Sequence, residues 1–71
     1  GQIKWFDYAA RQGFVTLDGE KRDAKVYLDV LRKAQKASHV PRVKPGDRVF
    51  CEIQPREKGL RVTRILQLQA V

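Results

Sequence analysis

The 71-residue chain has no methionine, one tryptophan, one histidine and one cysteine. A lone cysteine, Cys51, closes no internal disulfide, and a cytoplasmic setting is expected. It has no neighbouring Cys or His at zinc-ligand spacing, so it reads as a small core residue, and neither a metal nor another cofactor is expected. No apolar run approaches the ~18 residues that a membrane span needs. There is no glycine-rich phosphate loop and no recognisable pair of catalytic carboxylates. One histidine and one cysteine without supporting spacing do not make a nucleophile and its base, so no enzymatic activity is expected. Residues 1–71 leave room for a single domain, and the opening Gly1 points to one excised from a longer protein.

Basic charge is what the chain has in excess. Its formal net charge is +7, which favours a polyanionic partner such as RNA, DNA or an anionic membrane surface, with simple solubility as the plainer explanation. Residues 1–31 hold five Lys/Arg and five Asp/Glu, whereas residues 32–71 hold ten Lys/Arg against Asp47, Glu52 and Glu57. The whole excess therefore lies in the second half. The basic half has no amphipathic apolar face of the kind that holds a protein at a lipid surface, so no membrane partner is expected.

Short β-rich runs separated by turn residues predict an all-β fold. Ile3–Phe6 reads as a strand and Asp7–Gln12 as a turn. In Gly13–Leu17, Val15 and Leu17 share one face while Phe14 and Thr16 share the other. Asp18-Gly19 opens a turn, and the mixed charges up to Lys25 read as a solvated loop. Val26–Asp29 alternates again, with Tyr27 and Asp29 facing away from the core. Val30–Ala37 predicts one or two helical turns capped by Asp29. Ser38–Pro45 reads as loop, and Pro45-Gly46-Asp47 is a turn that launches the strand Arg48–Gln54, which Pro55 ends. Glu57-Lys58-Gly59 is a hairpin turn before a last strand, Leu60–Leu68. Five strands of this length suit a small closed barrel, filled by Ile3, Val15, Leu17, Val26, Leu28, Val49, Cys51, Ile53, Val62 and Ile65.

At Lys4-Trp5-Phe6-Asp7 the chain resembles the cold-shock domain family, whose first strand carries Lys-Trp-Phe-Asn or Lys-Trp-Phe-Asp. Gly13-Phe14-Val15 resembles the end of that family's first ribonucleoprotein motif, and Val26-Tyr27-Leu28-Asp29-Val30 its second. Pro45-Gly46-Asp47-Arg48-Val49 and Val62-Thr63-Arg64-Ile65-Leu66 look like its fourth and fifth strands. The segments Val49–Ile53, Lys58–Leu60 and Arg64–Leu66 are similar to the bacterial two-domain cold-shock proteins of alphaproteobacteria. The resemblance implies a five-stranded antiparallel OB-like barrel with a short helix after strand three. It also implies an RNA chaperone's work: bases of a single strand stack on surface aromatics while Lys and Arg hold phosphates. By position, Trp5, Phe14 and Tyr27 match stacking aromatics, and Lys4 and Lys58 match basic positions facing the strand.

Several positions depart from the family pattern. Gln12 stands at the first aromatic of the first motif, Ala10-Arg11 at its Lys-Gly, Asp29 at the second motif's His, and Val30 at its final Phe. Trp5 reads two ways: strict alternation places it with Ile3 inside, while stacking requires a bulge in its strand. Phe6 either flanks the aromatics or packs beneath a loop, Tyr8 reads as a turn residue, and His39 either stacks from the long loop or lies free in solvent. Arg11, Lys58, Arg61 and Arg64 are candidates for phosphate contact, with a merely charged outer face as the alternative. The candidate nucleic-acid-binding set is therefore Lys4, Trp5, Phe6, Arg11, Phe14, Tyr27, His39, Lys58, Arg61 and Arg64. Single-stranded RNA or DNA is the expected partner of a monomer. The rival expectation is a degenerate cold-shock fold that docks a protein partner or adjacent domain through a helix face carrying Leu31, Ala34 and Ala37.

Overall fold

The computed structural model describes residues 1–71. Five strands and one helix follow in the order β1 (Gln2–Asp7), β2 (Gln12–Thr16), β3 (Asp23–Tyr27), α1 (Leu28–Ser38), β4 (Arg48–Arg56) and β5 (Gly59–Gln69). The strands close in a ring, β1-β2-β3-β5-β4, completed by Gln2 of β1 pairing with Arg48 of β4. The pairs are antiparallel except β3 and β5, which run parallel through Ala24↔Leu60 and Lys25↔Arg61. The ring is thus mixed, which corrects the all-antiparallel expectation. Five strands cannot alternate up and down around a closed ring without one neighbouring pair pointing the same way.

The apolar alternation of β2 and β3 fills the interior. Val15, Ala24 and Val26 are fully buried together with Ile3, Leu31, Val49 and Val62. Ala24 was expected in a solvated loop, but β3 begins at Asp23 and its period of two carries Ala24 inward with Val26. Leu60 and Leu68 of β5 are also buried. Leu17, Cys51 and Ile65 are only half-buried, and Ile53 is exposed. The β4–β5 ladder is irregular between Phe50 and Cys51 and between Glu52 and Ile53, where β5 carries the extra residues Leu66 and Thr63; β4 keeps its own phase, and Ile53 is exposed where β5 is the only strand beside it. Pro55 does not end β4, which continues to Arg56; at that point β5 is its only strand neighbour, so a residue without an N–H is tolerated.

The helix is longer than expected, with 11 residues, and it starts directly at the end of β3. Leu28 therefore belongs to α1 and not to the third strand. The N-cap position is Tyr27, in an extended conformation and without a side-chain cap, while the Leu28 N–H donates to the Arg11 carbonyl at 3.0 Å. Asp29 is not the cap: its carboxylate accepts the Val30 N–H at 3.0 Å within the first turn, where negative charge suits the helix dipole. Leu28, Leu31, Ala34 and Gln35 form the buried stripe, packed on β5 and β3. The helix ends where His39 takes a left-handed backbone (φ 56°) and its N–H returns to the Gln35 carbonyl. No helix is long and apolar enough to cross a membrane.

Asp47 anchors the turn before β4. Its side chain is 0 % exposed. The carboxylate accepts the Lys44 N–H at 3.0 Å, the Val71 N–H at 3.2 Å and the Lys44 ammonium at 3.2 Å. Its carbonyl accepts the Ile3 N–H at 2.8 Å, while the Gly46 N–H (φ 95°) donates to the Ile3 carbonyl at 2.8 Å, so the turn is stitched to β1. Burial pushes the Asp47 carboxyl up, but the Lys44 and Val71 amides and the Lys44 charge outweigh it and hold the pKa below its ordinary 3.8. A depressed pKa stabilises the fold at pH above the ordinary value, and that contribution is lost as pH falls through the folded value. Asp47→Asn is expected to cost about 1–3 kcal/mol at pH 7. Its deficit relative to the parent should shrink below pH 3.8, as read by denaturant melts across pH.

Candidate nucleic-acid interface

Ile3 pairs with Val15, yet Trp5 pairs with Phe14, so Lys4 is an extra residue on β1. That bulge reverses the alternation. Ile3 stays buried, Trp5 turns outward to 40 % exposure, and Phe6 turns back to pack against the core. The stacking alternative for Trp5 required this bulge. Across from it, Gly13 lets β1 and β2 approach closely: a Cβ there would collide with the Trp5 carbonyl oxygen and lie 2.7 Å from the Phe6 Cα. The result places the Trp5 and Phe14 ring centroids 5.2 Å apart with planes tilted by 59°, a favourable aromatic pairing.

The same face continues across the sheet. Phe14 lies opposite Lys25, and Lys25 is in register with Arg61. The Lys25 ammonium is 5.4 Å and the Arg61 guanidinium 4.6 Å from the Tyr27 ring centroid, within cation–π range. A cleft of about 400 Å³ beside them is lined by Phe14, Lys25, Tyr27, Arg56, Lys58 and Arg61, among others. Four of the candidate residues, Phe14, Tyr27, Lys58 and Arg61, thus line one depression, and Trp5 adjoins it through Phe14. Arg11 occupies the β1–β2 turn with φ 61° and lines a second cleft of about 560 Å³ with Tyr27, Asp29, Arg32 and Arg61.

Other candidates lie elsewhere or have partners. Lys4 is bound to Asp23 at 2.7 Å. Phe6 stacks edge-on against Tyr8 with centroids 4.9 Å apart, on the inner side of the bulge. Arg64 is 3.7 Å from Glu52 on the β4–β5 hairpin and lines a separate cleft with Val30 and Thr63. His39 lines a third cleft, at the end of α1. Asp29 and Val30 are wound into the first turn of α1 and leave the sheet altogether. Leu31 and Ala34 are buried in the chain's own core, which removes them from any docking face.

Tyr8 is more than a turn residue. Its hydroxyl accepts the Val43 N–H at 3.0 Å and a Gln35 side-chain N–H at 3.1 Å, while the Arg42 guanidinium lies 4.4 Å from its ring centroid. Gln35 also donates to the Pro41 carbonyl at 2.8 Å, so Tyr8 and Gln35 together hold the 40–43 loop against the helix. Sequence reasoning missed Lys25, Arg32 and Arg56 as members of the basic surface. For Lys25 the signal was available, since residues i and i+2 of a strand share a face and Tyr27 is outward.

Compared with protein-family models, curated proteins and solved structures, the chain matches none. What the geometry defines is a small, mostly β ring of five strands with one helix and an aromatic–basic face. Gly13→Ala is expected to force β1 and β2 apart, costing about 1–3 kcal/mol. The melting temperature should fall by about 5 °C or more, and near-ultraviolet circular dichroism should report a disturbed Trp5 environment.

Proposed function

We propose that the chain is a cold-shock-like module with an OB-like barrel that binds single-stranded RNA or DNA without catalysing a reaction. The observation that carries this reading is the shared outer face of Trp5, Phe14 and Tyr27, interleaved with Lys25 and Arg61. Base stacking on exposed aromatics contributes about 1–3 kcal/mol per base and is tolerant of sequence. Lys25, Lys58 and Arg61 lie where phosphates of a stacked strand would pass, and Arg11 extends that charge at the next cleft. Asp29 opposes a polyanion there, but Arg11, Arg32 and Arg61 surround the same cleft. In this reading the chain acts as a cytoplasmic monomer and needs no cofactor.

Titrating poly-U and poly-dT while following the fluorescence of Trp5, the sole tryptophan, tests the reading. Quenching is expected, with affinity falling as salt rises at about −0.7 in log–log slope per phosphate contact. Phe14→Ala and Tyr27→Ala should each weaken binding by about 1–3 kcal/mol. Salt-sensitive binding with unchanged Trp5 emission would leave charge attraction without stacking and would overturn the aromatic face as the site.

A second reading, protein contact, is favoured by a different surface. Phe50 is 53 % exposed on β4, and it shares a cleft with the exposed Ile53 and with Leu17 and Cys51. A stoichiometric protein partner that survives nuclease treatment and is lost in Phe50→Ser would replace nucleic acid as the leading assignment.

A further inference from the structure

We propose that a bound single strand does not end on the sheet but continues along α1, its phosphates held by Arg32, Lys36 and Arg42. This rests on the nucleic-acid reading of the aromatic face and extends it. Three clefts join end to end: Tyr27 and Arg61 line both the first and the second, and Arg32 lines both the second and the third. The third, of about 700 Å³, is bordered by Tyr8, Arg32, Lys36, His39 and Arg42, and no acidic side chain lines it. A path therefore leads from the stacked rings to the far end of the helix; Asp23 and Glu57 also line its first cleft and Asp29 its second, so cations outnumber acids in both and stand alone in the third.

The helix fixes the direction of that path. Arg32 and Lys36 are one turn apart on one face, and His39 lies a further turn on, so the stripe runs about 10 Å at 1.5 Å per residue. Leu28, Leu31, Ala34 and Gln35 form the adjoining buried stripe, which fixes the helix's rotation and keeps Arg32 and Lys36 in solvent. Like charges at i and i+4 repel. No acidic side chain pairs with Arg32, Lys36 or Arg42, whereas Lys4, Lys44 and Arg64 each have an acidic partner. A polyanion lying along the stripe would relieve that repulsion. The far end is already ordered, because Tyr8 holds the Val43 amide through its hydroxyl and the Arg42 guanidinium over its ring. The surface favours a strand over an acidic protein because it is continuous with aromatic rings on which bases stack.

Oligo-dT strands of about 4 and about 12 nucleotides, within the span of site sizes known for barrels of this size, separate the two parts of the path. Fluorescence anisotropy of end-labelled strands is the readout. For Lys36→Gln/Arg42→Gln, the longer strand should lose roughly tenfold in affinity at 50 mM salt, and its salt slope should flatten by about 1.4. The shorter strand should bind as it does to the parent. Lys33→Gln/Arg48→Gln removes the same net charge outside the stripe and should leave the longer strand's affinity within about threefold of the parent. A thermal melt of each variant confirms folding. If the parent binds both strands and the Lys36/Arg42 variant keeps the longer one, the extension is wrong while the aromatic site stands. Failure of the parent to bind either strand overturns both. Should the longer strand gain nothing over the shorter while poly-glutamate binds and is lost in the Lys36/Arg42 variant, the stripe is an acidic-protein site and the proposal falls.

Discussion

A closed ring of five strands must contain one parallel pair, and the location of that pair organises the rest of the molecule. It lies between β3 and β5. Parallel neighbours cannot be joined by a tight hairpin, so the chain leaves β3, crosses through α1 and returns by way of β4 before β5 can dock. That detour gives α1 its place, packed on β5 and β3 with a basic stripe exposed beside its buried one. The seam itself sets Lys25 beside Arg61, and both cations then meet the Tyr27 ring. The second half of the chain, where all the excess positive charge lies, is in this way folded back onto the aromatics of the first half.

Two local departures from regular strand geometry build the aromatic face. The extra residue at Lys4 sends Trp5 out and Phe6 in, and Gly13 leaves space for the β1 backbone at the same level. Each depends on the other. The bulge without Gly13 would drive a Cβ into the Trp5 carbonyl, and Gly13 without the bulge would leave Trp5 facing the core beside Ile3. Lys4 is exposed by the same bulge and takes Asp23 as its partner. On the proposed reading, a phosphate that engaged Lys4 would have to compete with that carboxylate, which makes Lys25 and Arg61 the better-placed cations.

The order of strands and turns was legible because the signals are local: apolar alternation in Val15 and Val26, and turn residues at Asp18-Gly19, Pro45-Gly46 and Lys58-Gly59. What escaped depends on pairing. Ile53 looks inward by strict alternation, but it lies on the stretch of β4 that has β5 as its only strand neighbour, and it stays exposed there. Leu28 and Asp29 continue the alternation of β3 on paper, yet the helix-forming run that follows draws them into α1, where Leu28 finds the same core from a helical position. The length of α1 was underestimated because Leu31 and Ala34 gain their stabilisation from tertiary burial rather than from propensity. For the site, outward Phe14 and Tyr27 followed directly from period two. The alliance of Arg11, Arg32 and Arg61 joins three elements far apart in sequence, and no local pattern announces it.

The proposed binder differs in balance from one built on a full set of aromatics. On the proposed cold-shock-like reading, Gln12 and Val30 stand where that family stacks two bases, a loss of about 2–6 kcal/mol in gross terms if each base contributes its usual amount. Gln12 is tied into the β2 ladder between Asp7 and Tyr27, and Val30 is packed toward the core, so neither leaves an empty aromatic site that a neighbour could fill. What the chain has instead is charge: Lys25, Lys58 and Arg61 at the rings, and Arg11 and Arg32 beyond them. Stacking is nearly indifferent to salt, whereas phosphate contacts release counterions and weaken steeply as salt rises. Exchanging rings for cations at constant affinity therefore produces a module whose grip follows ionic strength more closely and distinguishes bases less. Asp29 tempers that dependence, since a carboxylate within the Arg11–Arg32–Arg61 cleft lowers the local positive potential, and salt screens its repulsion of a phosphate together with the attraction of the cations.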